Sequence, residues 1–233
     1  MSDLISGIFL FDKPSGITSH DAVDILRRKI NIRRIGHTGT LDPMATGLLV
    51  MLVGGAVKLQ AKLQHSSKSY EGVIRLGIET DTWDMEGKIL KEMPLADLNY
   101  EKVKKIVSFL DGRAIQQVPP FSAVRYKGRP LYKLARKNQT VPVIRREVDI
   151  KWKNFSFKSP DVHFKIECSG GTYIRSIARE MGRMLGCGAC LCSLRRTKIG
   201  RWKVEDAVSA EKLKNMSREE VSSGIFKIPH DIE

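Results

Sequence analysis

No apolar run in the 233 residues is long enough to cross a membrane; the longest, residues 47–57 (GLLVMLVGGAV), falls well short of the roughly 18 to 20 that a spanning helix needs. The start, MSDLISGIFLFDKP, has neither a basic leading region nor a small-residue cleavage site, so no export signal is expected and a cytoplasmic location is. Cysteine is scarce. Cys187-x-x-Cys190 has the spacing of half a zinc site, yet there is no second such pair and His20, His37, His65, His163 and His230 are scattered. Cys168, Cys187, Cys190 and Cys192 therefore read as reduced structural thiols, with no metal. No histidine is followed two positions later by Glu, which excludes a zinc nucleobase deaminase. Glycine-rich dinucleotide and P-loop signatures are missing, so no nucleotide cofactor is expected. Repeats, low-complexity tracts and Gly/Ser linkers are missing too, and 1–233 reads as a single domain.

Acidic residues are outnumbered. Asp+Glu total 26 against 40 Lys+Arg, and 40 − 26 = +14 points to a polyanionic partner. With 42% apolar, 28% charged and 7% aromatic residues, the chain is globular rather than disordered or fibrous.

Helical and strand periods alternate along the chain. Ser19 reads as the N-cap of a helix with Val23, Leu26 and Ile30 on one face and Arg27, Arg28 and Lys29 on the rest. Further helices are expected over 101–110, 131–136 and 172–185. Strands are expected over 8–12, 48–53, 69–76, 148–157, 162–168 and 190–199. Asp84-Met85-Glu86-Gly87 reads as the turn of a hairpin between 70–78 and 88–90. Strands joined by hairpins as well as helices predict an α+β fold, with a mixed, mostly antiparallel sheet flanked by helices.

Two clusters carry candidate chemistry. Gly36-His37-Thr38-Gly39-Thr40-Leu41-Asp42-Pro43-Met44-Ala45-Thr46-Gly47 holds three glycines and a proline in twelve positions, the mark of a tight, specific loop. Asp42 there reads either as the cap of a short helical turn with Pro43 at its first position, or as a carboxylate presented into a cleft. The second cluster, Cys168-Ser169-Gly170-Gly171-Thr172-Tyr173-Ile174-Arg175, ends a strand and begins a helix. Arg175 sits in the first turn, where the helix dipole favours anions. It reads as a solvated arginine or as a bidentate partner that holds a carboxylate ionised.

Both clusters belong to an ordered series that resembles the TruB family of bacterial tRNA pseudouridine-55 synthases. The family's hallmark loop, GHTGTLDPxATG, stands at residues 36–47. Lys13-Pro14-x-Gly16, Lys68-Ser69-Tyr70, Leu76-Gly77, Thr80-Asp81-Thr82 and Pro119-Pro120-x-Ser122-Ala123 recur in family order. So do Gly128, Tyr132, Ala135-Arg136, Gly171-Thr172-Tyr173-Ile174-Arg175, Leu185-Gly186, and Leu194-Arg195-Arg196-Thr197 with Gly200. The likeness runs from residue 7 to residue 231.

The resemblance implies a pseudouridine synthase fold with a central catalytic cleft. It implies a cofactor-free isomerase that acts as a monomer on the T arm of tRNA, away from membranes. Asp42 is then the catalytic aspartate and Arg175 its ion-pair partner. Tyr70 stacks on the target base and, by exclusion, removes the C5 proton. Tyr173 and Leu194 complete the pocket, His37 contacts the RNA near the space left by the flipped nucleotide, and Lys13 supports the cleft. In the family the N1–C1′ bond of uridine breaks, the uracil turns, and C5 bonds to C1′. Whether Asp42 acts at C1′, on the base, or on a sugar proton stays open.

A non-catalytic RNA-folding factor or ribonucleoprotein subunit could use the same groove, but it gains nothing from a carboxylate facing phosphates. A methyltransferase lacks its glycine-rich cofactor loop. Among the basic pairs, Arg33-Arg34 and Arg195-Arg196 are expected at phosphates and Arg145-Arg146 on a solvated face. Arg125 and Gly170 stand where many relatives have Lys, and Glu180 where Asp is usual. The chain stops after Ile228-Pro229-His230-Asp231, where relatives commonly continue into a PUA domain, which is therefore expected to be absent.

Overall fold

The computed structural model describes residues 5–95 and 98–228. The first four residues of the export-signal stretch, and Pro229, His230 and Asp231, lie outside them.

In chain order the elements are β1 (Gly7–Lys13), α1 (Ser19–Ile30), β2 (Ile35–His37), β3 (Thr46–Val53), α2 (Gln60–Leu63), β4 (Lys68–Leu76), β5 (Ile78–Thr80) and β6 (Ile89–Glu92). They continue with α3 (Tyr100–Phe109), β7 (Gly112–Gln117), β8 (Arg125–Tyr126), β9 (Arg129–Pro130), α4 (Leu131–Ala135), β10 (Arg145–Lys158) and β11 (Asp161–Cys168). The last are α5 (Ile174–Leu185), β12 (Ala189–Ile199), β13 (Trp202–Lys203), β14 (Val208–Ser209), α6 (Ala210–Asn215) and α7 (Arg218–Ser223). The mixed, mostly antiparallel pairing is the one expected. Among the described residues no helix is long and apolar enough to span a membrane.

The chain forms two compact units, Met1–Tyr70 with Leu194–Glu233, and Glu71–Ser193. In the first, β1 lies between β14, parallel to it, and β3, antiparallel. β3 also pairs with β2 and, in parallel, with β12. Phe9, Phe11, Leu49, Met51 and Val53 pack with Val23, Leu26 and Ile30 of α1 on one face. Ile8, Leu10, Leu48, Val50 and Leu52 pack with Leu59, Leu63 and Ile199 on the other. A strand covered on both faces needs no polar alternation, which is why 48–53 reads as an unbroken apolar run.

α1 differs from its expectation by one residue. Thr18, not Ser19, is the N-cap: its Oγ1 accepts the Asp21 N–H at 3.1 Å, and the Asp21 carboxylate accepts the Thr18 N–H at 2.9 Å. Ser19 is left for another task.

In the second unit β10 pairs antiparallel with both β7 and β11. β11 buries Val162, Phe164, Ile166 and Cys168 while His163 and Lys165 face out, the alternation of a sheet covered on one side. α5 buries Ile174, Ile177, Ala178 and Met181 and ends at Gly186, φ 74°. The expected hairpin exists with a shifted first arm. β4 stops at Leu76, Gly77 turns at φ 88°, and it is β5 that pairs with β6.

Gly47 shows how tightly β3 meets β12. It has φ +100°, and a Cβ on it would lie 2.3 Å from the carbonyl oxygen of Arg196, its register partner. Gly16 is similarly left-handed, at φ +85°, but faces open space. Gly16→Ala is expected to cost about 1 kcal/mol, the left-handed penalty alone. Gly47→Ala, which adds a main-chain clash, should cost about 3 kcal/mol or more or fail to fold. Urea titration of the two variants side by side measures the difference.

Candidate active site

The loop between β2 and β3 follows His37, the last residue of β2, and closes through a turn in which the Ala45 N–H reaches the Asp42 carbonyl at 3.1 Å. Pro43 occupies the second position of that turn, where its fixed φ is favourable. Asp42 thus stands in a β-turn rather than at the cap of a helical turn.

A loop that leaves a sheet loses the ladder partners of its carbonyls, and here buried donors replace them. Lys13, fully buried at the end of β1, donates from Nζ to the carbonyls of Pro14 (2.8 Å), Ile17 (2.8 Å) and Pro43 (3.2 Å). The Gly16 N–H also reaches the Pro43 carbonyl, at 2.9 Å. Ser19 Oγ accepts the Leu41 N–H at 2.8 Å and donates to the Leu41 carbonyl at 3.2 Å. Arg196 donates to the carbonyls of Leu48 (2.7 Å), Gly39 (3.0 Å) and Thr40 (3.4 Å). Residues on both sides of Asp42 are therefore held, while Asp42 itself is half-buried.

His37 Nδ1 is buried without a hydrogen-bond partner. Burial first, and the nearby Arg196 charge second, push the His37 imidazole down to about 4, so it is neutral at physiological pH. Tyr70, near the start of β4, and Leu194, on β12, are both buried and belong to this same unit.

The second unit holds the other two expected residues. Tyr173 precedes α5, and Gln116 of β7 clasps its main chain, accepting its N–H at 2.7 Å and donating to its carbonyl at 3.0 Å. Arg175 is buried, which overturns its reading as a solvated arginine. It donates to the carbonyls of Thr82 (2.9 Å) and Phe121 (3.1 Å), and its Nε lies 3.5 Å from the Asp84 carboxylate. Asp84 is buried too, accepting from Thr82 Oγ1 at 2.6 Å and the Glu86 N–H at 3.1 Å. These bonds offset the cost of placing a cation in the first turn of a helix.

Asp84, Ser19 and Gln116 are the residues that sequence reasoning missed, because each lies in a stretch that also reads as turn, cap or strand. Arg195 and Arg196 correct an expectation. Arg195 is bidentate to Asp12 at 2.8 and 3.0 Å, and Arg196 is buried, so neither is an open phosphate donor. The period of two along β12, which puts Arg196 on the face of buried Leu194, was the available signal.

Cys168, Cys187 and Cys190 are buried free thiols and Cys192 is half-buried. Burial pushes the Cys190 thiol up to about 12 and raises that of Cys187, the reverse of an activated thiolate. Among the described residues no three His, Cys, Asp or Glu side chains form a metal-binding group.

The fold defines the class, that of the pseudouridine synthases. The crystal structure of a Cbf5-Nop10-Gar1 complex matches with a TM-score of 0.70 and 25% identity, over 96% of this chain and 60% of that one. An archaeal box H/ACA sRNP Nop10-Cbf5 complex matches with a TM-score of 0.67, again over 60% of the longer chain. The model described as TruB family pseudouridylate synthase (N terminal domain) matches residues 27–174, and that of the tRNA pseudouridylate synthase B C-terminal domain matches 175–225. The chain belongs to the TruB family. The tRNA pseudouridine synthase B of Endomicrobium trichonymphae is 43% identical over 88% of this chain and 89% of its own length. That of Opitutus terrae is 38% identical over 96% and 93%.

Removing the Asp84 charge leaves the Arg175 cation buried beside a neutral group. Asp84→Ala is expected to lower stability by about 3 kcal/mol, with Asp84→Asn in between. An unchanged urea midpoint in both would contradict the ion pair.

Proposed function

We propose that this protein is a tRNA pseudouridine synthase acting on the T-loop uridine at tRNA position 55. Membership of the TruB family and the shared activity of its curated relatives support isomerisation of uridine in tRNA. The observation that carries the finer reading is the held loop, in which three buried side chains fix the main chain on both sides of Asp42. A chain that only bound RNA would have no use for so constrained a carboxylate.

The chemistry follows from the residue types. A uridine in a folded T loop must leave its stack, at a cost of a few kcal/mol, before any group reaches its sugar. Tyr70 stacks on the freed base, recovering roughly 1–3 kcal/mol, with Tyr173 and Leu194 as further walls. His37, neutral, occupies the RNA side of the pocket. As N1–C1′ breaks, positive character develops at the sugar, and the Asp42 carboxylate stabilises it or traps it. Arg175, held by Asp84, is the proposed cationic partner in the chemistry. The released uracil turns and its nucleophilic C5 bonds to C1′; the C5 proton leaves through the Tyr70 oxygen while N1, freed of its bond to the sugar, takes up one proton in its place. Atoms balance without any co-reactant. Every residue this scheme needs comes from one chain, which suits a monomer, and the cytoplasm, where tRNA is found, is the proposed location.

Two exposed basic stretches suit the phosphate backbone. Arg33 and Arg34 stand just ahead of the Asp42 loop. Arg125, Lys127 and Arg129 on the β8–β9 hairpin are followed by Lys133, Arg136 and Lys137, with no acidic residue among them. Lys127 lies over the Tyr126 ring and Arg136 over the Tyr132 ring, each at 5.4 Å, a mixture of cation and aromatic face suited to loop nucleotides.

The deciding measurement is tritium release from a T-arm transcript carrying 5-tritiated uridine. Asp42→Asn is expected to slow it by about 1000-fold or more while binding the transcript as tightly as the unaltered protein. A wild-type rate would end the assignment. For the same hairpin, affinity should fall by on the order of 100- to 1000-fold between about 50 and 200 mM salt if six phosphates are engaged. A flat salt response would remove the basic stretches from the interface.

A further inference from the structure

Arg196 has the largest side chain among the described residues that solvent does not reach, at 1% exposure. A guanidinium does not shed its proton inside a protein, so this charge is permanent. Burying it is tolerable only where its N–H groups find acceptors. Its three acceptors are all main-chain carbonyls, and they lie on the two limbs of a single loop. Gly39 (3.0 Å) and Thr40 (3.4 Å) stand on the limb that enters the Asp42 turn, and Leu48 (2.7 Å) on the strand that leaves it. The main chain of Arg196 adds a second hold, since it is in register with Gly47 and leaves no room there for a Cβ. One residue thus sets the separation of the two limbs. Lys would keep the charge but offers its donors from a single point and cannot copy a planar fork that reaches three carbonyls. Met would fill the volume and leave the carbonyls without partners.

We propose that Arg196 is a positioning residue for the isomerisation: its guanidinium fixes the two limbs of the loop and through them the Asp42 carboxylate, without touching RNA. This rests on the proposed role of Asp42. The alternative, a phosphate contact by Arg196, makes the opposite prediction, with weaker RNA binding and an intact turnover number.

The test compares the unaltered 233-residue protein with Arg196→Lys, Arg196→Met and Asp42→Asn. It uses turnover of a T-arm hairpin, equilibrium binding of the same hairpin across a salt series, and thermal melts to confirm folding. A displacement of a reacting group by about 1 Å costs on the order of 100-fold in rate. Arg196→Met is accordingly expected to lower kcat by about 100-fold and Arg196→Lys by about tenfold, with hairpin Kd within about twofold and an unaltered salt slope. Should Arg196→Met fail to fold, Arg196→Lys decides the matter on its own. Wild-type kcat in a folded variant overturns the proposal, as does intact kcat with weakened binding and a slope shallower by about one phosphate. Asp42→Asn at wild-type rate would instead overturn the role of Asp42, whatever the Arg196 variants do.

Discussion

The position of Asp42 depends on the hydrogen bonds that Lys13, Ser19 and Arg196 make to the main chain of its loop. A loop bulging from the end of a strand carries carbonyls with no ladder partner, and without other donors these would have to draw in water. Lys13 ends β1, Ser19 opens α1, and Arg196 lies on β12, nearly the whole chain away. None of the three can act until the strands of the first unit are paired and both their faces covered. The Asp42 loop is therefore a product of the finished sheet. Two of the three are basic side chains held away from water, an arrangement that is stable only while the carbonyls stay in place, so each side of the contact enforces the other.

The second unit solves a related problem in a different way. Arg175 is set where the α5 dipole disfavours a cation, and it is held by Asp84 and by the carbonyls of Thr82 and Phe121. Gln116 clasps the main chain of Tyr173 just ahead of it, so the entry to the helix is fixed from the neighbouring strand. In both units buried polar side chains serve the backbone first, and through it hold the candidate site residues in place.

That division sharpens the meaning of the +14 net charge. Lys13, Arg175 and Arg196 are buried, and Arg195 is engaged by Asp12. The charge available to a polyanion sits instead on exposed stretches such as 33–34 and 125–137. Charge counted from composition and charge usable at a surface are different quantities, because burial removes a cation from the field that solvent transmits.

Much of this protein is legible in its sequence. The run 48–53, the alternation of 162–168 and the helical periods of 101–110 and 172–185 specify their elements locally, since each rests on a repeat of two or of 3.6 residues. The loop motif at 36–47 was legible because its glycines and proline constrain the backbone on the spot. Other features were not. Thr18 and Ser19 are adjacent hydroxyls, and which one caps α1 is decided by backbone angles that depend on where Leu41 arrives. β7, GRAIQQ, has no strand signature of its own and forms because β10 offers it a ladder. Asp84 in a turn and Arg196 in an arginine pair look exposed in one dimension. Their roles come from partners 91 and 157 residues away, Arg175 and Gly39. Periodicity and turn chemistry are properties of neighbours in sequence, whereas the burial of a charge and the choice of its acceptor are properties of neighbours in space, and only the tertiary structure brings those together.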